Sequence, residues 1–219
     1  MGSRSKRSPA VGRAQALLYY LYRLKSDGVI ADIPVYLNSP MAVDATNIFR
    51  KHQGEHRLSR EQSSAMCNAA RFVQGVEESK ALNGRDGPMI IIAGSGMATG
   101  GRVVHHLKAF ASDARNTILF TGFQAGGTRG ASMLEGAASI KIHGEHVPLR
   151  AEVALIDTLS GHADAGEILA WLGAGAAAPR QTFITHGEPV AADALRLRIE
   201  EELHWPCVVP DYLERVQLG

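Results

Sequence analysis

Cysteine is nearly absent: Cys67 and Cys207 are the only two in 219 residues. They lie far apart and form no CxxC pair, which excludes a disulfide framework and a zinc knuckle. Net charge is lacking too. Lys+Arg 23 against Asp+Glu 22 leaves +1, so any basic footprint that attracts nucleic acid has to be local. Long apolar runs are missing as well. The strongest, Met89 to Ala93, is far too short to cross a bilayer, and the charged N-terminus leads into an amphipathic stretch rather than a signal peptide. No HxHxDH, HExxH or facial carboxylate cluster occurs anywhere, so the three protein ligands of a catalytic zinc are not visible. The sequence reads as a reduced, cytoplasmic protein with no membrane partner.

What is present is an ordinary soluble composition, 45% hydrophobic and 21% charged, long enough for one large or two small domains. Residues 1–9 are short, basic and Ser-rich, and read as a tag outside the fold. Leu17, Leu18, Leu21 and Leu24 recur at helical spacing before Gly28. Ile33 to Leu37 predicts a buried strand, followed by Ser39 as a helix cap with Pro40 in the first helical position. A helix to about Lys51 follows, and Gly54 to Gln74 is too polar and weakly patterned to assign beyond a short strand at Phe72-Val73. Then come a helical turn or two from Glu77 to Leu82, a strand Pro88 to Ala93, a glycine loop 94–101, a helix Arg102 to Phe110 and a strand Thr117 to Thr121. Strands alternating with helices predict parallel β-α-β units. Past the second glycine-rich segment, 122–130, the texture changes. Ile140 to His143 and Val147 to Asp157 read as neighbouring strands about a Gly144 turn. Helices 165–172 and 191–203 and strands 182–185 and near Val208 complete the chain. A boundary is placed near residue 127.

Ligands of open parallel sheets bind beyond the carboxyl ends of the strands. Here those ends carry Asn38-Ser39, Gly94-Ser95-Gly96, Thr121-Gly122 and Thr185-His186-Gly187, all small and polar. The loop from Gly94 to Arg102 matches neither a P-loop nor GxGxxG, so simple turn chemistry competes with anion binding there. Arg102 and Arg129 each adjoin a glycine loop and are candidate phosphate contacts or solvated surface arginines. His162 precedes a helix whose Asp164 and Glu167 form a D-x-x-E pattern resembling a capping box. His186 ends a strand. Both positions suit a metal ligand or a proton donor, or a hydrogen-bonded structural histidine. His105 and His106 are adjacent on a helix and diverge rather than share a metal. His143 and His146 flank an exposed turn.

Taken in order, the segments resemble the metallo-β-lactamase/β-CASP RNA nucleases. The likeness begins at 10–15 (Ala-Val-Gly-Arg-Ala-Gln) and continues through 34–42, Glu77-Glu78-Ser79, Gly94-Ser95-Gly96-Met97 with Gly100-Gly101-Arg102, and 122–130. It closes with Ser160-Gly161-His162-Ala163-Asp164, like the family's motif B, and Thr185-His186-Gly187-Glu188, like its motif C. The resemblance implies an α/β fold: a Rossmann-like parallel-sheet β-CASP domain at 10–126, then at 127–219 the C-terminal segment of a metallo-β-lactamase αββα domain. It further implies a zinc-dependent RNA hydrolase with two Zn2+ ions in the full-length enzyme. His186 would be a metal ligand and His162 the acid beside the scissile phosphate. Ser39, Ser95, Gly96, Met97, Gly100, Gly101, Arg102 and Ser160 would be RNA-binding residues. The family's HxHxDH half is not in this sequence, so the chain is expected to bind zinc poorly, to be inactive alone and to self-associate as a dimer through an uncovered apolar face. Two other readings stand beside it. One is a non-catalytic RNA-binding or assembly module. The other is a nucleotide-dependent Rossmann enzyme, weakened because Asp113 and Arg115 precede the next strand instead of ending it.

Overall fold

The computed structural model describes residues 11–159, 162–175 and 177–217. Contacts divide the chain into two compact units, Met1–His162 and Ala163–Gly219.

In chain order the first unit holds α1 (Val11–Ser26), β1 (Val35–Asn38), α2 (Pro40–Lys51), α3 (Arg60–Asn68), β2 (Arg71–Phe72), α4 (Val76–Leu82), β3 (Ile90–Ala93) and α5 (Arg102–Phe110). It continues with β4 (Thr117–Phe120), α6 (Arg129–Leu134), β5 (Ser139–Ile142), β6 (Glu145–Pro148) and β7 (Glu152–Leu155). The expected parallel units are present. β1 pairs parallel with β2 on one side and β3 on the other, and β4 pairs parallel with β7. Because β1 is central and covered on both faces, all four of its residues are buried. Its alternation sorts them. Val35 and Leu37 pack with Leu18, Val43 and Met66, whereas Tyr36 packs on the opposite face with Val73 and Leu82. Asn38 follows on the Tyr36 side, where it enters a polar network rather than an apolar core. A separate core joins Val104, Leu107, Phe120, Met133, Ile140 and Ile142.

Ser39 caps α2 with Pro40 in its first turn, as the sequence predicts. Two helices lie where the sequence offered no assignment. α3 starts at a full capping box, Ser59 with Gln62, and buries Ser63, Met66 and Cys67. α6 is capped by Thr128 within the second glycine-rich segment. The stretch 147–157 is two strands, not one. β6 turns back on β5 and ends at Pro148, and one further N–H beyond it, that of Leu149, still donates to the Ala138 carbonyl. The chain then crosses with Arg150 and Ala151 N–H donating to the Ala111 carbonyl, and β7 joins β4.

The second unit contains α7 (Ala165–Gly173), β8 (Thr182–Phe183), α8 (Pro189–Leu203) and β9 (Cys207–Val208). β8 and β9 pair parallel, and Leu169, Ile199 and Cys207 form its small core. Among the described residues no helix is long and apolar enough to cross a membrane.

Candidate RNA-binding site

The strand ends of the first unit are wired together by one buried polar lattice. Asn38 is fully buried at the end of β1. Its amide nitrogen donates to Ser79 Oγ at 2.8 Å and lies 2.6 Å from His106 Nε2. His106 Nδ1 lies 2.6 Å from Asn83 Oδ1. These partners select one tautomer, with Nδ1–H donating to Asn83 and Nε2 accepting from Asn38. A neutral ring is required for that. Burial pushes the His106 imidazole down to about 4, helped by His105 and Arg102 nearby. His106 is thus turned inward and His105 outward, as their adjacency on a helix demands.

Arg102 completes the lattice. Its Nη1 donates to Asn38 Oδ1 and to the Val73 carbonyl, each at 2.8 Å, and its Nη2 donates to the Gln74 carbonyl. Arg129 is held in the same manner, donating to the carbonyls of Ala98 and Lys141. Every one of these acceptors is a neutral oxygen, and neither arginine pairs with a carboxylate among the described residues. Both keep a full, fixed positive charge beside the glycine loop.

The loop itself is tightly specified. Ser95 (φ 80) and Ala98 (φ 55) occupy left-handed backbone that side chains seldom adopt. Gly94 has no room for more: a Cβ there would meet Ser39 Oγ at 2.8 Å. Ser39 is buried with its hydroxyl accepting from the Ala42 N–H, which makes it first a packing and capping group. Ser95, Gly96, Met97 and Gly101 are exposed, Gly100 is partly so, and α5 begins at Arg102 with Gly101 in the cap position and no side-chain cap. An exposed glycine loop at an uncapped helix start, flanked by two uncompensated guanidinium groups, is suited to hold phosphate oxygens. Sequence pattern marks Asn38 as a strand-end residue and Ser79 and Gln124 as parts of family-like segments, but gives none of them this role, and it carries no signal for Asn83 or the inward His106. Gln124 Nε2 donates to the Gly96 carbonyl at 2.7 Å and ties the second glycine segment to the first.

The two motif histidines are placed differently. His162 is exposed in the first unit. In the second unit, Asp164 and Glu167 form the expected capping box of α7. His186 is also exposed, beyond β8 and before Pro189 opens α8, with φ 78 followed by Gly187 at φ 128. Ser160 lies outside the described residues. Among the described residues, no three His, Cys, Asp or Glu side chains gather in a metal-holding group. These residues do not make a zinc site by themselves.

Residues 14–133 match the Beta-Casp domain, and residues 146–210 match the family described as Zn-dependent metallo-hydrolase RNA specificity domain. The chain is 40% identical over 193 residues to a Thermus thermophilus protein named ribonuclease TTHA0252, covering 82% of this chain and 42% of that protein. It is 30% identical to transcription termination factor FttA of Methanosarcina mazei and 32% identical to that of Pyrococcus abyssi, each over 95% of this chain and 34% of the relative. The chain therefore spans about a third to two fifths of the length of these relatives. With the Beta-Casp match covering more than half of its residues, the chain belongs to the β-CASP metallo-β-lactamase family.

Proposed function

We propose that this chain is the RNA-gripping part of a zinc-dependent ribonuclease, with residues 10–126 as its β-CASP portion and 127–219 as the returning metallo-β-lactamase segment. The observation that carries the reading is the order of the two family matches, Beta-Casp at 14–133 and RNA specificity at 146–210. Support comes from the exposed glycine loop, whose neighbouring Arg102 and Arg129 have no carboxylate partner among the described residues. In the full-length enzyme two Zn2+ ions would supply Lewis-acid chemistry. The described residues of this chain do not assemble that site, so its own tasks are narrower. Its loops hold RNA phosphates, His162 stands as the proton donor to the leaving oxygen, and His186 is offered as one metal ligand. The protein acts in the cytoplasm, and by itself this chain does not cut.

The same reading expects a dimer. Support comes from large apolar side chains exposed on the second unit, Trp171 (77% exposed), Val190 (84%), Tyr212 (93%) and Leu213 (78%). One set of measurements tests the proposal: labelled single-stranded RNA, added zinc, metal analysis and sedimentation on the same preparation. Salt-dependent binding without turnover, by a self-associated species, is expected. Near-stoichiometric dinuclear zinc with cleavage abolished by His186→Ala overturns the inactivity of this chain. A clean monomer overturns the dimer.

A further inference from the structure

The lattice has an outer side where side chains from outside the motifs join Gly100, Gly101 and Arg102. A cleft of about 450 Å³ opens between α4, the loop before α5, α5 itself and the β5–β6 turn. Lys80, Arg102, His105, Arg129 and His143 line it together with the backbone of 99–101, and no carboxylate does. The nearby carboxylates Glu77 and Glu145 are each already ion-paired, with Lys80 and Lys108. Five nitrogen-bearing side chains thus converge on one concavity with no acidic residue in its wall.

Two further features show that the wall is built. His143 sits at φ 48 in the turn, ahead of Gly144 at φ 86, the left-handed backbone of a two-residue hairpin turn that few non-glycine residues adopt. That backbone brings the His143 ring to 5.0 Å from the ring of His105, although the two residues belong to different elements. Arg102 and Arg129, meanwhile, are pinned from behind by carbonyls. Their charge is fixed in place before any ligand arrives, so little ordering entropy is lost when one binds.

The geometry points to this cleft as a holding site for non-reacting backbone phosphates of a bound RNA strand, with His105 and His143 donating to phosphate oxygens beside the two fixed guanidinium charges. The volume exceeds that of a single phosphate and falls in the range of ordinary ligand sites, which accommodates a phosphate with its sugar. This inference rests on the RNA reading proposed above and adds a location for the strand away from His162 and His186.

The test uses the whole chain and a labelled oligouridylate, with His105→Ala/His143→Ala and, separately, Lys80→Ala. All three positions are exposed or carry exposed side chains, and thermal melts confirm that the variants fold. The double variant is expected to bind about tenfold more weakly. Lys80→Ala is expected to lower the slope of log affinity against log salt by about 0.7. Pyrophosphate and a neutral methylphosphonate oligomer are titrated in parallel while the imidazole proton resonances are followed. If the chain binds RNA and the variants bind it equally well, the cleft assignment falls while the RNA reading stands. If the chain binds no RNA, both fall, and a pyrophosphate response of the His105 and His143 resonances then marks the cleft as a small-anion site. Undiminished binding of the neutral oligomer overturns the phosphate chemistry.

Discussion

The end of β1 and the end of β8 are topologically alike, each a strand running into a helix through a polar residue, yet they are held in opposite ways. At β1, Asn38 is buried and its side-chain amide is held by partners distant in sequence: Ser79, Arg102 and His106. Beyond β8, His186 is exposed, its side chain makes no hydrogen bond among the described residues, and its backbone is left-handed. The first arrangement resists deformation because breaking any bond strands a buried donor or acceptor. The second leaves the imidazole available to an outside group and stores a small strain. One strand end is scaffold, and the other is presented.

Substitution can break that contrast at its strongest point. Asn38→Leu keeps the volume roughly constant but removes the acceptor of Arg102 and the donor to Ser79 and His106. It is expected to cost about 3–5 kcal/mol, read as a drop in the urea midpoint. A loss under about 1 kcal/mol would mean the lattice is not holding the strand end. Acidification is a gentler probe of the same network. His106 is held neutral at about 4 against an ordinary 6.5, so the unfolded chain binds the extra proton first. The stabilisation is whole above pH 6.5 and is lost as the pH falls toward 4, about 2 kcal/mol of it between pH 7 and pH 5. Its signature is a His106 ring resonance that does not titrate near neutrality. The smallest effect belongs to β8. His186→Gly relieves the positive φ and is expected to leave stability unchanged or raise it by about 0.5–1 kcal/mol. A marked destabilisation would show that His186 is scaffold as well, erasing the difference.

Much of this was legible in the sequence because it is local. Ser39-Pro40 announces α2, Asp164 with Glu167 announces α7, and the adjacency of His105 and His106 on a helix separates their directions. Ser59 with Gln62 was an equally good start signal, but the helix it opens is mostly polar and only Met66 and Cys67 mark its apolar side. Two features lay beyond local reading. No spacing reveals that the strand after Pro148 abandons its hairpin partner for β4, because that choice is made by a pairing 35 residues away, Thr117 with Glu152. Nor does any spacing reveal that Arg102, expected to meet RNA directly, spends two of its nitrogens on Asn38, Val73 and Gln74, or that His106 joins Asn38 across 68 positions. Buried polar partners are settled by tertiary geometry, and sequence pattern is blind to them.

The β5–β6 hairpin has a bearing on how the chain folds. β4 and β7 are parallel and cannot join until the segment between them is gathered up, an entropic cost that grows with the length of open chain. A two-residue turn at His143-Gly144 forms in about 1–10 μs, well before distant strands meet. Once closed, it takes residues 139–148 of the intervening 121–151 out of the open loop and places Ala151 near the end of α5. The turn that sets His143 against His105 is therefore also an early step in assembly, and substitutions that weaken it are expected to slow folding while leaving the unfolding rate nearly unchanged.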